Sequence, residues 1–109
     1  MSDGIFTLCN LVDMAEKGDA PKERLRPVYR EYYGERTVGF SRYYESLGAG
    51  EQVDMLIRTR YDKRARIGCY IVLEDEQYRI TNVQKIVDEG LNYCDITLSR
   101  LDKNYELDF

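Results

Sequence analysis

Short segments of alternating apolar and polar residues, each ended by a charged or glycine-containing break, recur along this chain and limit what it can fold into. Alternation with period two puts one set of side chains on each face of an extended strand. In Gln52 to Thr59, Val53, Met55 and Ile57 are expected to face in, and Asp54, Leu56 and Arg58 to face out. Ile67 to Leu73 is nearly continuous in apolar residues, the pattern of a strand buried on both faces. Glu74-Asp-Glu76 reads as a charged hairpin turn, and Gln77 to Val87 as a longer strand with Tyr78 and Ile80 on one side. Asp88-Glu-Gly-Leu-Asn92 is a second hairpin loop. Tyr93 to Leu101 then places Cys94, Ile96 and Leu98 opposite Asp95, Thr97 and Ser99.

The first half is less regular. Ile5 to Met14 is apolar and strand-like, and residues 15–24 form a polar loop with Gly18 and Pro21. Leu25 to Tyr33 reads as a strand whose inward face stays open, with Val28 and Tyr32 on one side and Tyr29 and Tyr33 on the other. Pro27 lacks a ladder donor, so it places this strand at an edge or near a strand start. At residues 40–47 the period changes. Phe40, Tyr43, Tyr44 and Leu47 fall at i, i+3, i+4 and i+7, the apolar stripe of a two-turn helix, and Gly48 and Gly50 follow as stop signals. A helix this short needs an external surface for its aromatic face. The resulting expectation is mainly β: one small barrel or sandwich of about six antiparallel strands, with one short helix between the second and third. Residues 1–101 would make the domain and 102–109 an acidic tail.

A chain of 109 residues has room for one domain. Ten tyrosines, against three Phe and no Trp, suit half-buried sheet faces and contact surfaces. The three cysteines, Cys9, Cys69 and Cys94, lack metal-binding spacing and read as reduced core thiols. A Cys9–Cys94 or Cys69–Cys94 pairing stays open at this level. No run is long enough for a membrane span and Met1-Ser2-Asp3-Gly4 is no signal peptide, so a soluble protein made in a cytoplasm is expected.

The chain contains no histidine, which removes the commonest general base and metal ligand. No phosphate-cradling glycine loop, nucleophile elbow or metal spacing is present, and nothing selects a working pair from twenty carboxylates. The expectation is therefore no enzyme, no metal and no cofactor. One feature rises above background. Arg58-Thr-Arg60-Tyr-Asp-Lys63-Arg64-Ala-Arg66 carries five cations and one acid in nine residues, between two apolar segments. Three readings stay open: charges that protect a β edge, a contact for an acidic surface such as 74–76, 88–89 or the tail of a neighbouring subunit, and phosphate contact with nucleic acid. In the last reading Tyr61 would stack on single-stranded bases. The formal net charge of −4 does not favour nucleic acid as a partner of the whole chain.

The order of these elements resembles the head-closure proteins of long-tailed bacteriophages, also called head–tail adaptors or stoppers. Ile5-Phe-Thr-Leu leads through a Gly/Pro loop to Pro27-Val-Tyr-Arg-Glu-Tyr-Tyr33, then to the helical pattern Phe40–Gly50 and to Gln52-Val-Asp-Met-Leu-Ile-Arg58. A hairpin with Tyr78-Arg-Ile80 and a last strand Asp95-Ile-Thr-Leu-Ser-Arg-Leu101 complete it, so roughly residues 5 to 101 are covered. The resemblance implies a β-barrel subunit of the virion head–tail connector; ring contacts of limited area are weak until templated, so a monomer is the expectation for the free protein. Assembled, it would form a ring under the portal and adaptor that closes the DNA-filled head and docks the tail. Its partners would be portal, adaptor and tail-completion proteins, with at most non-specific contact to packaged DNA. Contacts would come from loops 15–24, 34–50 and 58–66. The basic 58–66 connection matches no family-wide motif. The alternative function is a small barrel that binds single-stranded nucleic acid.

Overall fold

Tight turns and two bulges set how the strands meet. The computed structural model describes residues 3–36 and 53–109. Among the described residues there are seven strands: β1 (Gly4–Asp13), β2 (Glu23–Arg36), β3 (Met55–Arg60), β4 (Tyr70–Leu73), β5 (Glu76–Asp88), β6 (Leu91–Arg100) and β7 (Glu106–Leu107). They form one sheet in the order β1-β4-β5-β6-β3-β2-β7, and β1 also pairs with β2. That extra pairing closes strands β1 to β6 into a ring of antiparallel neighbours, which removes most of the exposed sheet edge. The described residues contain no helix. The helix expected at 40–47, with Phe40, Tyr43, Tyr44 and Leu47, lies outside them.

The turns follow the sequence closely. Glu89 and Gly90 both have positive φ (49° and 78°), as a type I′ two-residue hairpin between β5 and β6 demands. Glu74 also sits at positive φ (54°) in the β4–β5 turn, a conformation that costs a non-glycine residue about 1 kcal/mol.

Inside the ring lie Phe6, Leu8, Tyr33, Ile57, Ile71, Leu73, Tyr78, Ile80, Cys94, Ile96 and Leu98. Phe6 is flanked by Tyr29 and Tyr33 at centroid distances of 5.9 and 6.3 Å, which settles the inward face of β2. Tyr32 points out and is 58% exposed. The bulge between β1 and β2 explains why alternation could not show this. Leu8 pairs with Tyr29, but Cys9 pairs with Pro27, so Val28 is an extra residue. Beyond it, Leu25 leaves the barrel interior and joins Cys9 and Val72 in a second cluster. Pro27 is thereby accommodated at a bulge, where a missing donor is tolerated. A second bulge, at Thr81, lets both Ile80 and Val83 meet the interior although they are three residues apart.

Two segments differ from expectation. The apolar run at Ile67 to Leu73 becomes strand only from Tyr70, because Gly68 at φ +97° turns the chain and leaves Ile67 65% exposed. From Ile71 to Leu73 burial on both faces holds, with Ile71 and Leu73 inside and Val72 in the second cluster. Residues 102–109 fold back on the barrel. Gln77, buried, donates to the Tyr105 carbonyl and accepts from the Tyr105 N–H, each at 2.8 Å. Tyr105 stacks edge-on against Tyr70 at 5.7 Å, and β7 pairs in parallel with Arg24 and Leu25.

The three thiols are free and buried. Burial pushes Cys9 and Cys94 up to about 11, so both stay protonated at neutral pH.

Candidate interaction surface at the basic end of the barrel

The connection between β3 and β4 is a folded plug and not an open loop. Ala65 and Cys69 insert into the main core, 4% exposed each, and hold the segment against one end of the barrel. Asp62 organises the turn: its carboxylate accepts the Arg64 N–H at 2.9 Å and its carbonyl accepts the Ala65 N–H at 3.0 Å. The Cys69 N–H donates to the Arg66 carbonyl at 3.1 Å. A polar, charge-dense sequence is therefore held rigid by two small apolar anchors.

The six residues singled out from this stretch fall into two groups. Arg58, on β3, makes a two-pronged pair with Asp95 on β6, at 2.7 and 3.0 Å, largely shielded from solvent. Arg64 grips Asp62 in the same two-pronged way, at 3.0 and 2.8 Å, and lies 4.6 Å above the Tyr29 ring. Its guanidinium holds the Asp62 carboxyl below the usual carboxylate range. Tyr61 is covered on one face by Lys85 of β5, 4.6 Å from its ring centre. Arg58 and Tyr61 thus belong to the barrel wall as much as to any contact. Arg60, Lys63 and Arg66 form the other group, with no carboxylate paired to them among the described residues.

Lys63, Arg64 and Arg66 come together with Asn10 of β1 and Val28 of β2 around an open cleft of about 270 Å³. Asn10 and Val28 are the residues that sequence reasoning missed. Val28 is the bulged residue and Asn10 immediately follows the bulge on β1, so their presence there depends on strand register. Asn10 also accepts from the Cys69 thiol at 3.5 Å, which ties the plug to β1. The Tyr29 hydroxyl is buried without a hydrogen-bond partner among the described residues, and its phenol is pushed up, chiefly by burial. The cleft offers cationic and amide donors beside one apolar wall. It suits an anionic side chain or phosphate better than a covalent reaction. Among the described residues no group of His, Cys, Asp and Glu could hold a metal ion, and no helix is long and apolar enough to cross a membrane.

No protein-family model and no curated protein sequence matches the chain. Among solved structures, a chain from the virion of a native gene transfer agent (GTA) particle is similar, with a TM-score of 0.57 and 16% identity. The likeness covers 93% of this chain and 96% of that one. At this identity the two share a fold.

Proposed function

We propose that this chain is a structural virion protein of a phage-like particle. More narrowly, we infer a head–tail connector subunit that forms a ring below the portal and adaptor, closes the filled head and docks the tail. The single observation that carries the reading is the near end-to-end likeness to a chain of the gene transfer agent virion. The order of strands and loops, which independently resembles the head-closure proteins, supports it. A non-enzymatic role belongs to the same proposal, consistent with a sequence that lacks histidine. The work would be mechanical: the closed barrel is a stiff body, and its loops meet neighbouring virion proteins.

The rival reading, binding of single-stranded nucleic acid, draws on the unpaired Arg60, Lys63 and Arg66. It is less well supported because Arg58 and Arg64 are neutralised by Asp95 and Asp62, and Tyr61 is already covered by Lys85. The test is to mix the purified protein with the portal–adaptor complex of its own particle and view the product by electron microscopy. Stoichiometric addition of a ring is expected. Failure to add, together with salt-sensitive binding to single-stranded oligonucleotides, would transfer the case to the rival.

A further inference from the structure

The two turns that flank β4 carry opposite charge. Before it stands the plug, with Lys63 and Arg66 unpaired around the cleft. After it stands the turn Glu74-Asp75-Glu76, exposed throughout. Glu74 and Asp75 have no ion-pair partner among the described residues, and Glu76 reaches Arg100 only at 3.5 Å. Asp3 and Glu35 deepen the negative field at that end. After burial, the carboxylates of Glu74, Glu35 and Asp3 are what push the Tyr33 phenol up.

Both surfaces are tied to the barrel. The plug is anchored by Ala65 and Cys69, and the acidic turn is a two-residue hairpin with Glu74 fixed at positive φ. Little side-chain or loop ordering would then be lost on contact. Between them runs β4, four residues of extended chain, or about 13 Å of strand. One molecule cannot fold its own turn into its own cleft across that strand.

We propose that the cleft of Lys63, Arg66, Asn10 and Val28 receives the Glu74-Asp75 turn of a second copy of this chain. This rests on the connector-ring reading and supplies the contact by which its subunits would join. Unlike patches meeting in this way make a head-to-tail interface, which closes into a ring when the rotation between copies permits. The occupant is a protein turn and not a nucleic acid for two reasons. The basic patch is local, on a chain of net charge −4, so an extended polyanion leaving the cleft meets repulsion. Exposed Ile67 (65%) also follows Arg66 directly in the chain, and Val28 lines the cleft, so apolar side chains stand beside the cationic ones, a mixture that suits protein contacts.

Charge exchange tests it. One variant carries Lys63→Glu with Arg66→Glu, the other Glu74→Lys with Asp75→Lys. All four side chains are on the surface, and circular dichroism checks each fold. Each variant alone opposes like charges at the contact. Ring addition to the portal–adaptor complex, followed by electron microscopy, should fall about tenfold for each, the effect of roughly 1.4 kcal/mol. An equimolar mixture pairs the reversed cleft with the reversed turn and should recover to within about twofold of wild type. If both variants add rings as the wild type does, the cleft–turn contact is wrong and the connector reading stands. If both fail and the mixture is not rescued, the contact is also wrong; loss of duplex-DNA binding by the first variant alone would then identify phosphate as the occupant. If the wild-type protein adds no ring and stays monomeric by sedimentation at high concentration, both readings fall.

Discussion

The molecule contains two apolar clusters on the two sides of one sheet, and they are held by different means. The main cluster lies within the closed ring, where six strands contribute side chains and each strand is bonded on both sides over part of its length. The second consists of Cys9, Leu25 and Val72, with Leu11, Tyr70 and Tyr105 packed against it. Its outer cover is the C-terminal segment, attached by a two-residue parallel ladder, the Gln77–Tyr105 bonds and two largely exposed ion pairs, Arg24–Glu106 and Arg26–Asp108. Exposed pairs of this kind are worth little. Closure makes the first cluster a property of the whole chain, whereas the second depends on about eight terminal residues. The two should therefore respond to perturbation on different scales.

The largest effect is expected inside the ring. Ile96, wholly buried between β3 and β5, should cost about 3–4 kcal/mol when changed to Ala, through lost burial and the cavity left behind. Urea unfolding measures it. For a domain of this size that is a large share of total stability.

Removing residues 102–109 should cost less, about 2 kcal/mol. The loss comprises the two hydrogen bonds that satisfy the buried Gln77 and the Tyr70–Tyr105 contact. Amide exchange should quicken at Glu23–Arg26 while Gly34–Arg36, bonded to β3, keeps its protection. A cost equal to that of Ile96→Ala, with exchange rising everywhere, would mean that the clusters form one cooperative core.

The smallest separation should appear in the thiols, because both clusters hold them: Cys94, with Cys69, in the main cluster and Cys9 under the tail, and the comparison is between Cys94 and Cys9. Both are pushed to about 11 by burial. A folded-state value raised above the unfolded one gives stability that is complete below the unfolded pKa, near 9, and is lost as pH rises through about 11. Stability should thus decline between those values, and Cys→Ala changes should flatten the decline. Below pH 8, alkylation by iodoacetamide should be slow at both, with Cys9 labelled first once the tail is removed. Equal rates after truncation would show that the tail does not control access to the second cluster.

Legibility along the chain followed how local the cause was. Alternation in Tyr93–Leu101 and the glycine turn at Glu89-Gly90 are properties of neighbouring residues, so strand, turn and inward face at Cys94, Ile96 and Leu98 were readable. That Tyr78 and Ile80 share a face was readable for the same reason, and the structure makes that face the inward one. The bulges were not readable. Nothing in Pro27-Val28 or Ile80-Thr81 announces an extra residue, because a bulge exists only relative to a partner strand. The inward face of β2 and the exit of Leu25 from the barrel were hidden with it. The basic stretch was visible as charge, but its division into Arg58 and Arg64, spent on Asp95 and Asp62, and Lys63 and Arg66, left at the cleft, was not.

What the sequence determined by itself is therefore the strand content, the tight turns and the cationic segment, all of which depend on side chains a few residues apart. The tertiary structure alone decided that the sheet closes, that the tail seals a second cluster and that Asn10 and Val28 complete the cleft. Those outcomes join residues dozens of positions apart, and they depend on register between strands, which period-two polarity leaves undefined until the partner is in place.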